Sequence, residues 1–291
     1  MRRDQAEDAS PSRRAVAASL FAAGYAPAAL SACASPVTTS AEGLAEAEVR
    51  ISGADGYDLP AFLARPNGEA RRGAVIVVNE IFGVHDYIKD VCRRLANEGY
   101  VALAPDYFDR AGDPATMTDF AAIRPIVATA THEQVMGDTA GAIAWLQAQS
   151  FVNRQALAIT GFCWGGSVVW MAAARFDEIR AGVAWYGRLV QPQPGGFLAD
   201  EERPWPADVG ALIKAPVLGL YAENDQGIPL DSVETMRAAL QAADNPTGSD
   251  IVVYPGVGHG FHADYRESYN AEAAADGWRR MLAWFRANGV A

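Results

Sequence analysis

Lysine is almost missing from this sequence. Lys89 and Lys214 are the only two, so nearly all the positive charge is arginine. Acidic residues outnumber basic ones by 35 to 24, giving a formal net charge of −11. Such a chain lacks the basic surface that tracks phosphates, which excludes nucleic acid as an expected partner. Cysteine is scarce too. Cys33, Cys92 and Cys163 are too few and too widely spaced for a disulfide framework or a zinc cluster. The histidines are His85, His132, His259 and His262, with no His-x-x-x-His pair on a helical pattern, so no structural or catalytic zinc is expected. No glycine-rich loop ends in Gly-Lys-Ser/Thr and no dinucleotide fingerprint occurs, so no nucleotide cofactor is expected either.

What the chain has in quantity is apolar residues. Half of its 291 residues are hydrophobic and 20% are charged, enough to bury a sizeable core. Residues 1–40 differ from the rest. Arg13 and Arg14 precede an alanine-rich stretch and then small residues around position 33, the layout of a bacterial export signal of the twin-arginine type. The stretch is too short, and too interrupted by Gly24 and Pro27, to be a membrane-spanning helix. "LSAC" at 30–33 has the form of a lipoprotein cleavage box, which makes Cys33 a lipidation candidate. Export to the periplasm is the expectation, with membrane contact only through a lipidated Cys33. A cytoplasmic location is the alternative.

From about residue 47 onward the pattern is regular. "EVRIS" and "LPAFLARP" alternate around "GADG" and predict a β-hairpin. "GAVIVVNE" is a continuous apolar run with a polar end, as expected of a strand buried on both faces. Strand and helix patterns then alternate to the end of the chain. A helical stretch is expected to break at Pro125. This order predicts an α/β fold over 47–291, with a mostly parallel sheet, antiparallel N-terminal edge strands and helices on both faces. Residues 187–210 are rich in proline and glycine and lack a period, so they read as a surface excursion, either a lid or a packing loop.

Reacting groups in such a sheet gather beyond the carboxyl ends of its strands. Glu80, Cys163, Asp225 and His259 each follow a predicted strand. Taken singly, each has a plain reading: cysteine packs well in cores, and Asn-Asp is an ordinary turn pair. Together, cysteine, aspartate and histidine stand in the α/β-hydrolase order of nucleophile, acid and base. Gly161 and Gly165 flank Cys163 at the spacing of a nucleophile elbow. The helix that follows favours a thiolate and, later, an oxyanion.

These stretches resemble the dienelactone hydrolase, or carboxymethylenebutenolidase, family. The likeness rests on residues 79–108, "GFCWGG" at 161–166, "ENDQGIP" at 223–229 and "YPGVGHGF" at 254–261. It implies a Cys163–His259–Asp225 triad, a Glu80 that hydrogen-bonds the resting cysteine, and an oxyanion hole made by the backbone N–H groups of Ile81 and Trp164. It implies a small ester or lactone as substrate and no cofactor. Where the family carries a carboxylate-binding arginine, this chain has Ala263, with His262 and Arg266 nearby. Arg110 and Arg124 are candidates for a second such arginine. Tyr107, Trp164, Tyr186 and Phe261, with His262, are expected to wall the pocket. A carboxylesterase or polyester hydrolase that ignores dienelactone, and a catalytically silent binding protein, are the alternatives.

Overall fold

The computed structural model describes residues 36–243 and 247–291. The arginine pair, the alanine-rich stretch and Cys33 lie outside the described residues. The alternating segments pair as the pattern predicts: β1 (Leu44–Ser52) and β2 (Asp58–Pro66) form an antiparallel hairpin. Next come β3 (Arg72–Val78), β4 (Val101–Pro105), β5 (Val152–Phe162), β6 (Ile179–Trp185), β7 (Val217–Ala222) and β8 (Asp250–Tyr254). The sheet order is β1-β2-β4-β3-β5-β6-β7-β8. The β2–β4 pair is antiparallel and every later pair is parallel. This is the α/β-hydrolase fold.

Val75, Ile76, Val77 and Val78 are all 0% exposed. Successive residues of a strand face opposite ways, so both faces of the sheet are covered there. The cover comes from α1 (Asp86–Asn97), α2 (Phe120–Thr129), α3 (His132–Ala148), α4 (Trp164–Arg175), α5 (Leu230–Gln241) and α6 (Ala271–Ala287). The chain leaves β3 toward β4 on one side and returns to β5 on the other. That reversal falls between β3 and its two neighbours, and Glu80 and Cys163 stand just past the carboxyl ends of β3 and β5.

The break expected at Pro125 falls elsewhere. Pro125 lies inside α2, and the helices separate at Ala130 and Thr131, where the Thr131 hydroxyl accepts the Gln134 N–H at 3.3 Å. A capping threonine gives the new helix a defined start, whereas proline removes only one donor. The 187–210 excursion packs down. Leu189 and Trp205 are buried, Arg203 lies 4.2 Å over the Trp205 ring, and Phe197 meets Phe120 of α2. At the other end of the described chain, the Thr39 N–H and hydroxyl both donate to Asp90 of α1. Arg94 then bridges Asp90 and Asp264, which ties this segment to the loop after β8.

Candidate active site

Cys163 sits between β5 and α4 with φ 55 and ψ −116, a conformation that non-glycine residues adopt only under constraint. Two hydrogen bonds hold the turn. The Cys163 N–H donates to the Trp185 carbonyl, and its own carbonyl accepts the Gly166 N–H, both at 3.0 Å. The flanking glycines are a steric requirement. A Cβ on Gly165 would stand 2.6 Å from the carbonyl oxygens of Val78 and Asn79, and one on Gly161 would overlap the Gly165 carbonyl. The elbow can therefore press against the end of β3 only because both side chains are missing. Trp164 opens α4, where no intrahelical carbonyl is in place for its N–H.

The acid and base meet as the chain order suggests. Asp225 Oδ2 lies 2.6 Å from His259 Nδ1. Its Oδ1 accepts the backbone N–H groups of Gly227 and Ile228 at 2.8 and 3.1 Å, so the carboxylate is fixed on both oxygens. The two loops are also joined through the Asn224 N–H and the Val257 carbonyl, at 2.8 Å. Burial disfavours a charged His259, yet the charges of Asp225 and Cys163, with hydrogen bonds to both, raise its pKa to about 10. The imidazole is thus held by the carboxylate and stands under the charge of the sulfur. Cys163 itself is 1% exposed.

Glu80 follows the neighbouring strand β3, and its bonds go to Tyr265 and Arg266. It is 0% exposed. Tyr265 donates its hydroxyl to Oε2 at 2.5 Å, and an Arg266 nitrogen stands 3.1 Å from Oε1. His85 Nε2 is 3.8 Å from Oε2. Burial alone would raise this carboxyl, but the Arg266 charge and the His85 and Tyr265 contacts hold it down to about 2. A carboxylate taken this far from water needs a cation, and Arg266 supplies it. Arg266 also donates from Nε to the Tyr265 hydroxyl at 3.1 Å and lies 5.1 Å over the Phe82 ring. A Cβ on Gly260 would be 3.0 Å from its guanidinium, so the side chain runs close past the backbone next to His259.

The remaining expectations divide. Tyr186 is the wall residue whose ring meets the triad, edge-on to His259 at 5.1 Å. Tyr107 and the Trp164 ring pack on each other, and the Tyr107 hydroxyl meets Thr139 at 3.0 Å. Phe261 is packed among Trp185, Tyr186 and Tyr254. His262 is packed among the rings of Tyr87, Phe162, Trp185 and Trp278. It is 2% exposed, meets the Tyr87 hydroxyl at 2.6 Å and stacks on Phe162 and Trp278. Burial, helped by the Arg94 charge, lowers its pKa to about 3. Arg110 is held by both oxygens of Asp138 at 2.7 Å, and Arg124 stacks on Phe197 and Phe120. Neither arginine is brought to the triad. Sequence reasoning missed Tyr265 and His85 as partners of Glu80. The one available signal was their closeness in sequence to His259 and to Glu80.

Among the described residues no cluster of histidine, cysteine, aspartate or glutamate has a metal-holding arrangement. Residues 59–289 match the model of the dienelactone hydrolase family. A Methylorubrum extorquens protein is 45% identical over 291 residues, covering 99% of this chain and 97% of that one. A Salmonella typhi protein is 44% identical over 270 residues, covering 91% and 96%. Both are named "Putative carboxymethylenebutenolidase". A Klebsiella pneumoniae crystal structure, named with the same qualifier as a dienelactone hydrolase, is 44% identical. It covers 84% of this chain and 98% of that one, with a TM-score of 0.76.

Proposed function

This chain belongs to the dienelactone hydrolase family and is a hydrolase; from that premise we propose that it cleaves small carboxylic esters or lactones with the Cys163 sulfur as nucleophile. The observation that carries the reading is the elbow at Cys163 with the His259–Asp225 pair, 2.6 Å apart, coupled to its thiol. His259 takes the thiol proton, and the sulfur attacks the carbonyl carbon. The carbonyl electron pair moves to oxygen, where the N–H groups of Ile81 and Trp164 stabilise the charge. The intermediate collapses to an acyl-thioester. The leaving oxygen takes its proton from His259. Water then attacks the thioester, with His259 as base, and the acid departs. Asp225 keeps the imidazole in the required tautomer and offsets its positive charge.

Glu80 takes another part here than the family resemblance implies. Its Tyr265 and Arg266 partners favour a fixed carboxylate that holds Arg266 beside the triad, and thiol activation falls to His259. Arg266 is the cation at hand for an anionic substrate, in place of the arginine missing at Ala263. A second reading, hydrolysis of neutral esters, is favoured by one observation: the Arg266 charge is already met by Glu80 at 3.1 Å. Rates on an anionic enol-lactone and on a neutral short-chain ester separate the two readings. Cys163→Ala is expected to lower kcat on either substrate by a factor on the order of 10⁴. Near-full activity in that variant overturns the nucleophile.

A further inference from the structure

Tyr186 carries two unfavourable features at once, immediately beside the catalytic base. It follows β6, next to the Trp185 carbonyl that holds the Cys163 N–H. Its φ is 38, in the left-handed region that a side chain of this size rarely adopts. Its N–H donates to the Leu220 carbonyl at 2.8 Å, which pins this strained backbone in place. The residue is 0% exposed, and among the described residues its hydroxyl has no hydrogen-bond partner. A buried hydroxyl left unpaired is costly, and phenylalanine would fill the same space without that cost. The neighbouring tyrosines are different. Tyr87 meets His262, Tyr107 meets Thr139, Tyr265 meets Glu80, and Tyr221 accepts from Trp170. The Tyr186 ring stands edge-on to His259, 5.1 Å between centroids, so the unpaired hydroxyl belongs to a side chain that borders the proposed base.

We propose that Tyr186 is a specificity-determining residue whose hydroxyl donates a hydrogen bond to an acceptor oxygen in the substrate's acyl group, beyond the scissile carbonyl. The favoured substrates are then oxygen-bearing acyl esters or lactones: keto, ether or carboxylate compounds rather than plain alkyl ones. An alkyl acyl group would leave the hydroxyl unpaired, and a site built around a polar contact discriminates against analogues that lack it. This inference rests on the ester- and lactone-hydrolase reading above.

The test compares the full chain with Tyr186→Phe on two para-nitrophenyl esters, the methoxyacetate and the butanoate. They differ by an ether oxygen in place of one methylene. Their intrinsic reactivities cancel when the ratio of kcat/KM values is compared between the two proteins. The ratio of methoxyacetate to butanoate is expected to fall roughly five- to tenfold in the variant, carried mainly by KM on the methoxyacetate. The variant's Tm is expected to stay level or rise, because the lost hydroxyl bonds nothing in the free protein. An unchanged ratio overturns the proposal. So does a lowered Tm with equal losses on both esters, which is what a purely structural role would give. A folded wild type that turns over neither ester overturns the hydrolase reading first, and this inference with it.

Discussion

Glu80 and Arg266 illustrate how one residue's chemistry depends on a distant partner. Glu80→Gln would leave the Arg266 guanidinium, whose side chain is 14% exposed, without its counter-charge. Breaking a buried ion pair from one side costs about 3–5 kcal/mol. Urea unfolding of the variant should show a loss of that order, and a loss well under 1 kcal/mol would mean that the pair is not structural. This pairing was hidden in the sequence because the Tyr265–Glu80 bond spans 185 positions. The positions of the proposed triad stand out in the sequence for the opposite reason. Cys163, Asp225 and His259 each stand just past an apolar run, where a polar residue has no packing role to fill. His262 misled because it shares a loop with His259. The turn closed by the Ala263 N–H and the Gly260 carbonyl, at 2.9 Å, sends it toward Tyr87 and the core. Tyr186 was legible as an aromatic beside the site, but its unpaired hydroxyl depends on which distant residues the fold packs around it.

At the scale of elements, the strands and helices were legible wherever apolar periodicity and glycine agreed. The run of valines in β3 reads as doubly buried, and the glycine spacing in "GFCWGG" reads as an elbow, because each pattern answers a single local demand. Pro125 failed as a signal. Its missing N–H costs one hydrogen bond, and α2 absorbs that cost, while the Thr131 cap decides where α3 starts. The tie from Thr39 through Asp90 and Arg94 to Asp264 was not legible at all. It joins three segments whose charges look like ordinary surface residues in the sequence. In the fold, Asp90 and Asp264 are 4% and 3% exposed, so α1 is braced against the loop that carries His259.

For the whole molecule, four buried or half-buried groups shape how stability varies with pH. His259 is raised from 6.5 to about 10, so its contribution is complete below pH 6.5 and is lost as pH rises through about 10. His262 is lowered from 6.5 to about 3, so its contribution is present above pH 6.5 and is lost as pH falls toward about 3. Glu80, lowered from 4.5 to about 2, acts in the same direction over that more acid range. Asp106 is raised by burial from 3.8 to about 6 and opposes His262 across that interval. The sum is a plateau between about pH 4 and 6.5, with a decline on either side. Thermal melts from pH 3 to 10 should trace this shape, and His259→Asn should flatten the alkaline limb. A Tm that rises between pH 7 and 10 would contradict the assignment of His259.

The central claim is that the acyl group passes through the Cys163 sulfur. The most direct measurement quenches turnover of an activated ester in acid, takes the intact mass of the chain and then maps the modified peptide. The account predicts a gain of one acyl group on the peptide that contains Cys163, and no gain in Cys163→Ala. An acyl group carried by any other residue would contradict it.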